Sequence, residues 1–390
     1  MIKQVGERGK PVHRLDGGAE EGFTEVKQVF ASLAEADPDH DMQVAVYHCG
    51  RLVVDLWAGP EMRQDSLLNV ASVGKAAAYV CAALLVQQGD LELDRTVARY
   101  WPEFAVAGKQ DVTVRQLLSH QAGLVGVDGG FTLDELHDDQ AAAVRLASQR
   151  PFWRPGTAHG YHGFTIGPMI GELVRRITGS TLPDFHAAMV REPRRIDMFV
   201  GLSAEYEPRV LTLQSPVPSE QAGSDPVPAP APDSLAGLAF SVPVADRLGL
   251  VNARRFRAAG PVSMGVLASA HGIARMYASC LDAVDGLPAL LAAETQEEFA
   301  QIHSVGHDLT LACPSRYGLG FQLPGDAQPY LSARTFGHDG GGGSWGFADP
   351  STRLAFGYVR RRMTNPGGLG PDAHLLARAA RACAAGQLAF

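Results

Sequence analysis

Strand-forming sequence lies at the two ends of this chain and helix-forming sequence fills the stretch between them. That distribution limits the fold more than any single motif does. Near the start, Gln43 to Tyr47 and Leu52 to Trp57 read as two strands joined by a turn through His48, Cys49, Gly50 and Arg51. A helix precedes them, because Phe23, Val26, Val29, Phe30 and Leu33 recur at helical spacing within residues 22–36. Strand patterns return at 317–323, 334–337, 345–348 and 354–360, and a last helix is predicted over 373–385. The alanine- and leucine-rich middle predicts helices near 72–88, 112–118, 133–148, 164–178, 182–190 and 266–282. The economical architecture is α+β: one antiparallel sheet built from both ends, flanked by helices, with a mostly helical domain inserted. The sheet domain is expected to comprise residues 1–70 and 305–390, and the helical domain 71–304. Residues 215–233, SPVPSEQAGSDPVPAPAPD, are proline-rich and aperiodic, and read as an extended loop.

Composition narrows the function classes. With 390 residues, 46% of them apolar and 19% charged, the chain can bury a large core. A net charge of -8 offers no footing for a polyanion, so nucleic acid is not an expected partner. Cys49, Cys81, Cys280, Cys313 and Cys383 are scattered and form no C-x-x-C pair, which fits neither a disulfide framework nor a zinc site. The first residues lack the apolar core of a signal peptide, and the longest apolar run, residues 76–86, is too short to span a bilayer. The expectation is a soluble, cytoplasmic protein with no membrane partner, metal or cofactor.

Two serines compete for the role of nucleophile. Gly342-Gly343-Ser344-Trp345-Gly346 matches G-x-S-x-G, the pattern of a nucleophile elbow. An elbow needs a strand, a tight turn and then a helix just after the serine. Ser344 is followed instead by a turn and another strand, so it reads as a decoy. Ser72 and Lys75, in Ala71-Ser72-Val73-Gly74-Lys75, form S-x-x-K at the head of the apolar run. On a helix, residues three apart share a face, so the Ser72 hydroxyl and Lys75 amine can meet. A lysine at the edge of apolar sequence is partly desolvated, which favours its neutral, basic form. The Ser72 amide, near a helix N-terminus, is a free donor suited to an oxyanion.

A Ser–Lys pair needs a partner to move the proton. The segment from Trp153 to His162 offers Tyr161 together with His159 and His162 after a Pro-Gly turn. Near a lysine cation, a phenol is expected to titrate below its free value. The glycines from Gly340 to Gly343 would let a substrate carbonyl approach the backbone, and the Gly341 amide is the expected second oxyanion donor.

Taken in order, these features resemble the serine β-lactamase and penicillin-binding-protein superfamily, and more narrowly its class C β-lactamase-like carboxylesterases, the family VIII esterases. The resemblance runs through DLWAG (Asp55 to Gly59), the S-x-x-K helix, and LLSHQAGL (Leu117 to Leu124). It continues through PGTxxxYHxxT (Pro155 to Thr165), GELVRRITG (Gly171 to Gly179) and FGHDGGGGSWGFADP. It implies a β-lactamase/transpeptidase-like fold, with Ser72 as acyl-accepting nucleophile, Lys75 as general base or partner of the base, and Tyr161 as proton shuttle. It sets His338-Asp339-Gly340 where β-lactamases carry K-T-G, and Gly163 where they carry asparagine. Both replacements remove groups suited to the anionic β-lactam.

The expected activity is therefore ester hydrolysis through a Ser72 acyl-enzyme, with a small-molecule ester as substrate. Ser72 and Gly341 would form the oxyanion hole, and His338, Gly340, Trp345 and His162 would line the substrate site. The same residues leave other readings open. The acyl group could pass to an alcohol or amine acceptor, the substrate could be a β-lactam or D-amino-acid peptide, or the fold could serve as a non-catalytic binding module.

Overall fold

The computed structural model describes residues 15–217, 230–240, 242–365 and 367–388. Most of the proline-rich segment, residues 218–229, lies outside them. The two ends of the chain build one six-stranded antiparallel sheet: β1 (Leu15–Ala19), β2 (Met42–His48), β3 (Arg51–Ala58), β4 (Phe336–Asp339), β5 (Trp345–Asp349) and β6 (Leu354–Arg360). Their order across the sheet is β1-β3-β2-β6-β5-β4. The seam between the two ends is the β2–β6 pair, where Val44 faces Tyr358 and Val46 faces Phe356. Hairpin β2–β3 closes through Cys49 and Gly50, whose φ angles of 51° and 74° are both left-handed, the backbone that matches the twist of a two-residue hairpin.

Helices cover both faces. Helices α1 (Thr24–Ala36) and α7 (Pro371–Leu388) lie on one, burying Val26, Phe30, Leu376 and Ala377 against Val44, Val46, Phe347 and Phe356. Helix α6 (Ala270–Leu281), which falls within the stretch assigned to the helical insert, lies against β2, β5 and β6 on the other face. Its approach depends on the cross-strand pair Gly346–Gly357. A Cβ on Gly346 would stand 2.4 Å from Ile273 Cγ2, so only glycine admits the helix at that point.

The middle of the chain holds α2 (Lys75–Gln88), α3 (Asp139–Ser148), α4 (Ile166–Thr178) and the short α5 (Leu235–Phe240). Every residue of α2 from Lys75 to Leu85 is buried, which is why its sequence is apolar around the whole circumference. Among the described residues, no helix is long and apolar enough to cross a membrane.

The expected strand at 317–323 is corrected. Strand geometry there ends with Pro314–Tyr317, and Gln322 makes only single bridges to Tyr317 and Gly337. Gly320, at φ 90°, interrupts the extended backbone. Strand β1 carries no strand-forming signal. LDGGA has two glycines and takes its register from the backbone of β3.

Candidate active site

Ser72 does not begin the long helix. It sits in a single 3₁₀ turn, Ala71–Gly74, that leads into α2 at Lys75. Ahead of the turn comes the short strand Leu68–Asn69. Ala71 then takes a left-handed φ of 48°, and its amide donates to the Asn69 side-chain oxygen at 2.8 Å. A non-glycine residue held in this region stores strain, which neighbouring structure must impose.

The turn brings Lys75 Nζ to 2.8 Å from Ser72 Oγ and 2.7 Å from the Ser263 carbonyl. Lys75 is wholly enclosed. Burial lowers its pKa to about 7, against the opposing pull of the Asp339 and Asp139 carboxylates. A sizeable fraction of the amine is therefore neutral at neutral pH, able to accept a proton from the hydroxyl beside it.

Tyr161 sits over this pair, with Lys75 Nζ 5.2 Å from its ring centroid. Its hydroxyl turns toward Ser72, which eases ionisation slightly, but it completes no full hydrogen bond. The expected lowering of the phenol pKa is overturned. Burial raises it, and the Asp339 and Asp308 carboxylates push in the same direction. Desolvation is the largest of these effects, because the Tyr161 hydroxyl is fully enclosed. A phenol held protonated is a proton donor in waiting.

Two groups that the sequence reading passed over hold Tyr161 in place. Asp308 accepts the Tyr161 amide at 3.1 and 3.2 Å, and also the Thr310 and Leu311 amides and the Ser315 hydroxyl. Tyr317 stacks on the Tyr161 ring at 6.0 Å and 2°. Neither position belongs to a short motif, so only the folded loops reveal them. His120, inside LLSHQAGL, packs edge-on to Tyr161 at 5.4 Å, and its Nδ1 accepts the His162 amide.

The β4–β5 hairpin forms another wall. His338 is buried, and its ring stacks on Tyr79 and lies 5.5 Å from that of Tyr161. Its Nδ1–H donates to the Asp339 carbonyl at 2.7 Å, which leaves Nε2 as an unprotonated, unpartnered acceptor. Burial, aided by Lys75, lowers its pKa to about 3, so His338 is neutral at physiological pH. The Gly341 amide, like that of Ser72, makes no hydrogen bond among the described residues.

Three expected substrate-binding residues have other surroundings. Gly340 packs against the segment before Ser72: a Cβ there would stand 2.6 Å from the Val70 carbonyl oxygen. Trp345 turns to the opposite face of the sheet, where it meets Phe347, Phe356 and His374. Alternation along β5 puts its ring in the α1–α7 core, away from Ser72. His162 is fully buried with both ring nitrogens engaged, Nδ1 to the Gly160 carbonyl at 2.7 Å and Nε2 to the Leu124 amide at 3.1 Å. It ties two loops together and has no nitrogen left for a substrate. Ser344 is buried in the hairpin turn, and its carbonyl accepts the Gly340 amide.

Comparison with known proteins identifies the family and the fold. Residues 30–381 match the beta-lactamase family model. Esterase/beta-lactamase LipL of Mycobacterium tuberculosis (strain ATCC 25618 / H37Rv) is 30% identical over 374 residues, covering 90% of this chain and 84% of LipL. The structure of EstA from Arthrobacter nitroguajacolicus Rue61a superposes with a TM-score of 0.89 at 41% identity, over 95% of this chain and 99% of EstA. A family VIII carboxylesterase superposes with a TM-score of 0.86 at 30% identity, over 95% of this chain and all of that one. The relatives include esterases as well as β-lactamases, and the chain belongs to the beta-lactamase family.

Proposed function

We propose that this protein is a serine hydrolase that cleaves carboxylic esters through an acyl-enzyme on Ser72. The observation that carries the reading is the contact of Ser72 Oγ with a buried Lys75 amine whose pKa has fallen to about 7. Lys75 takes the proton as Ser72 Oγ attacks the ester carbonyl. The Ser72 and Gly341 amides receive the oxyanion. Tyr161 gives its proton to the departing alcohol and recovers one from Lys75, so the first half-reaction releases the alcohol and leaves the acyl group on Ser72. Water then attacks the acyl-enzyme, Lys75 and Tyr161 again moving the proton, and the acid leaves. Lys75 serves better as the base than Tyr161, because burial makes the amine easier to deprotonate and the phenol harder.

The substrate side favours an uncharged ester over a β-lactam. His338 stands where a β-lactamase keeps a lysine and carries no charge at neutral pH, so it supplies no cation for a substrate carboxylate. Rapid quenching of a p-nitrophenyl ester reaction, followed by peptide mass mapping, tests the proposal. The expected result is an acyl group on the Ser72 peptide and ester turnover well above that of a chromogenic cephalosporin. Cephalosporin cleavage faster than that of any ester would contradict it.

A further inference from the structure

We propose that Phe240 sets the size and polarity of the substrate group that lies beside Tyr161, by occupying the space into which a side chain at position 163 would project. The proposal rests on the esterase reading above. A Cβ built on Gly163 would stand 2.8 Å from Phe240 Cε1 and 3.4 Å from the Ala239 carbonyl oxygen. The Phe240 ring lies 6.1 Å from that of Tyr161 and meets Phe164 edge-on at 6.0 Å and 87°.

Helix α5, which carries Phe240, is seated on a second close approach. A Cβ on Gly126 would come within 2.9 Å of the Leu238 carbonyl oxygen. Ala239, between the two contacts, is wholly buried. Two glycines from separate loops thus admit the helix, and Phe240 at its end remains only part-buried beside the proton donor.

The chemistry of that wall defines its occupant. A phenyl ring offers no hydrogen bond, so a charged or strongly polar group placed against it would lose water without a replacement partner. With His338 neutral, an uncharged, apolar substrate group is the one the wall accepts. The ring also limits bulk. Selection by an apolar wall changes kcat/KM by roughly 10- to 200-fold per methylene group.

The experiment compares wild type with Phe240→Ala, Phe240→Leu and Phe240→Trp on two ester series, one varying the acyl chain and one varying the alcohol. Phe240→Ala should raise the kcat/KM ratio of bulky to small ester by about tenfold or more in at least one series. Phe240→Leu should give a smaller rise, and Phe240→Trp a fall. Gly163→Ala should lower activity on bulky esters, and that loss should vanish in the Phe240→Ala background. The relative labelling rates of ethyl and octyl fluorophosphonate at Ser72 give a readout that needs no ester turnover. Unchanged ratios in every Phe240 variant, by turnover and by labelling, would overturn the role of Phe240. A shifted labelling ratio in an enzyme that hydrolyses no ester would retain Phe240 and overturn the esterase reading instead.

Discussion

The chain contains two serines in catalytic-looking settings, and their surroundings differ in every respect that matters for chemistry. Ser72 follows a short strand and a strained left-handed residue, lies in a 3₁₀ turn, and leads into a buried helix with a desolvated lysine 2.8 Å away. Ser344 lies between two antiparallel strands, in a turn closed by its own carbonyl. The strand–turn–helix geometry that G-x-S-x-G advertises is built at Ser72, where the motif is absent. The glycines around Ser344 have packing reasons instead: Gly346 admits helix α6 against the sheet, and Gly340 admits the hairpin against Val70. A motif, then, constrains chemistry only through the backbone that carries it.

The largest test of this contrast is removal of each hydroxyl. Ser72→Ala should lower kcat/KM for a p-nitrophenyl ester by about four orders of magnitude or more, as removal of a covalent nucleophile does. Ser344→Ala, measured in the same assay, should stay within a few-fold of wild type. Next comes Tyr161→Phe, which deletes the proposed proton donor and keeps the ring stack on Tyr317; the expected loss is about 10²- to 10⁴-fold.

The pH profile sharpens the Ser72 side of the comparison. In the proposed mechanism neutral Lys75 is the active form; burial brings its pKa to about 7, so lowering the pH would protonate it and remove the base. The kcat/KM of wild type should therefore rise with pH, fall about tenfold per unit well below pH 7, and level off above it. His338, at about 3, leaves no inflection between pH 5 and 9. An acid limb centred near 4 would assign the base to another group.

Smaller effects probe the packing side. Gly346→Ala should destabilise the fold by about 1–3 kcal/mol in urea unfolding, because its methyl would collide with Ile273. His162→Ala should cost a similar amount, about 1–3 kcal/mol, by stranding the buried Leu124 amide. Of the two, His162→Ala would also loosen the Tyr161 segment.

Much of this was legible in the sequence because it depends on local spacing. The three-residue separation of Ser72 and Lys75, the buried run of α2, and the strand-forming runs at both ends are properties of short windows. What escaped depends on long-range approach. Asp308 meets Tyr161 across 147 residues of sequence, and Phe240 meets Gly163 from beyond the proline-rich loop. The direction of the Tyr161 pKa shift is set by burial, which no short window of sequence reveals. Trp345 is expected to line the substrate site, but alternation along β5 turns it to the far face.

Ser72, activated by Lys75, is the proposed nucleophile. The most direct measurement is intact-mass labelling with a fluorophosphonate, followed by peptide mapping, on wild type, Ser72→Ala and Ser344→Ala. One adduct on the Ser72 peptide, retained in Ser344→Ala and lost in Ser72→Ala, is the predicted result. An adduct on the Ser344 peptide of the wild type would contradict it.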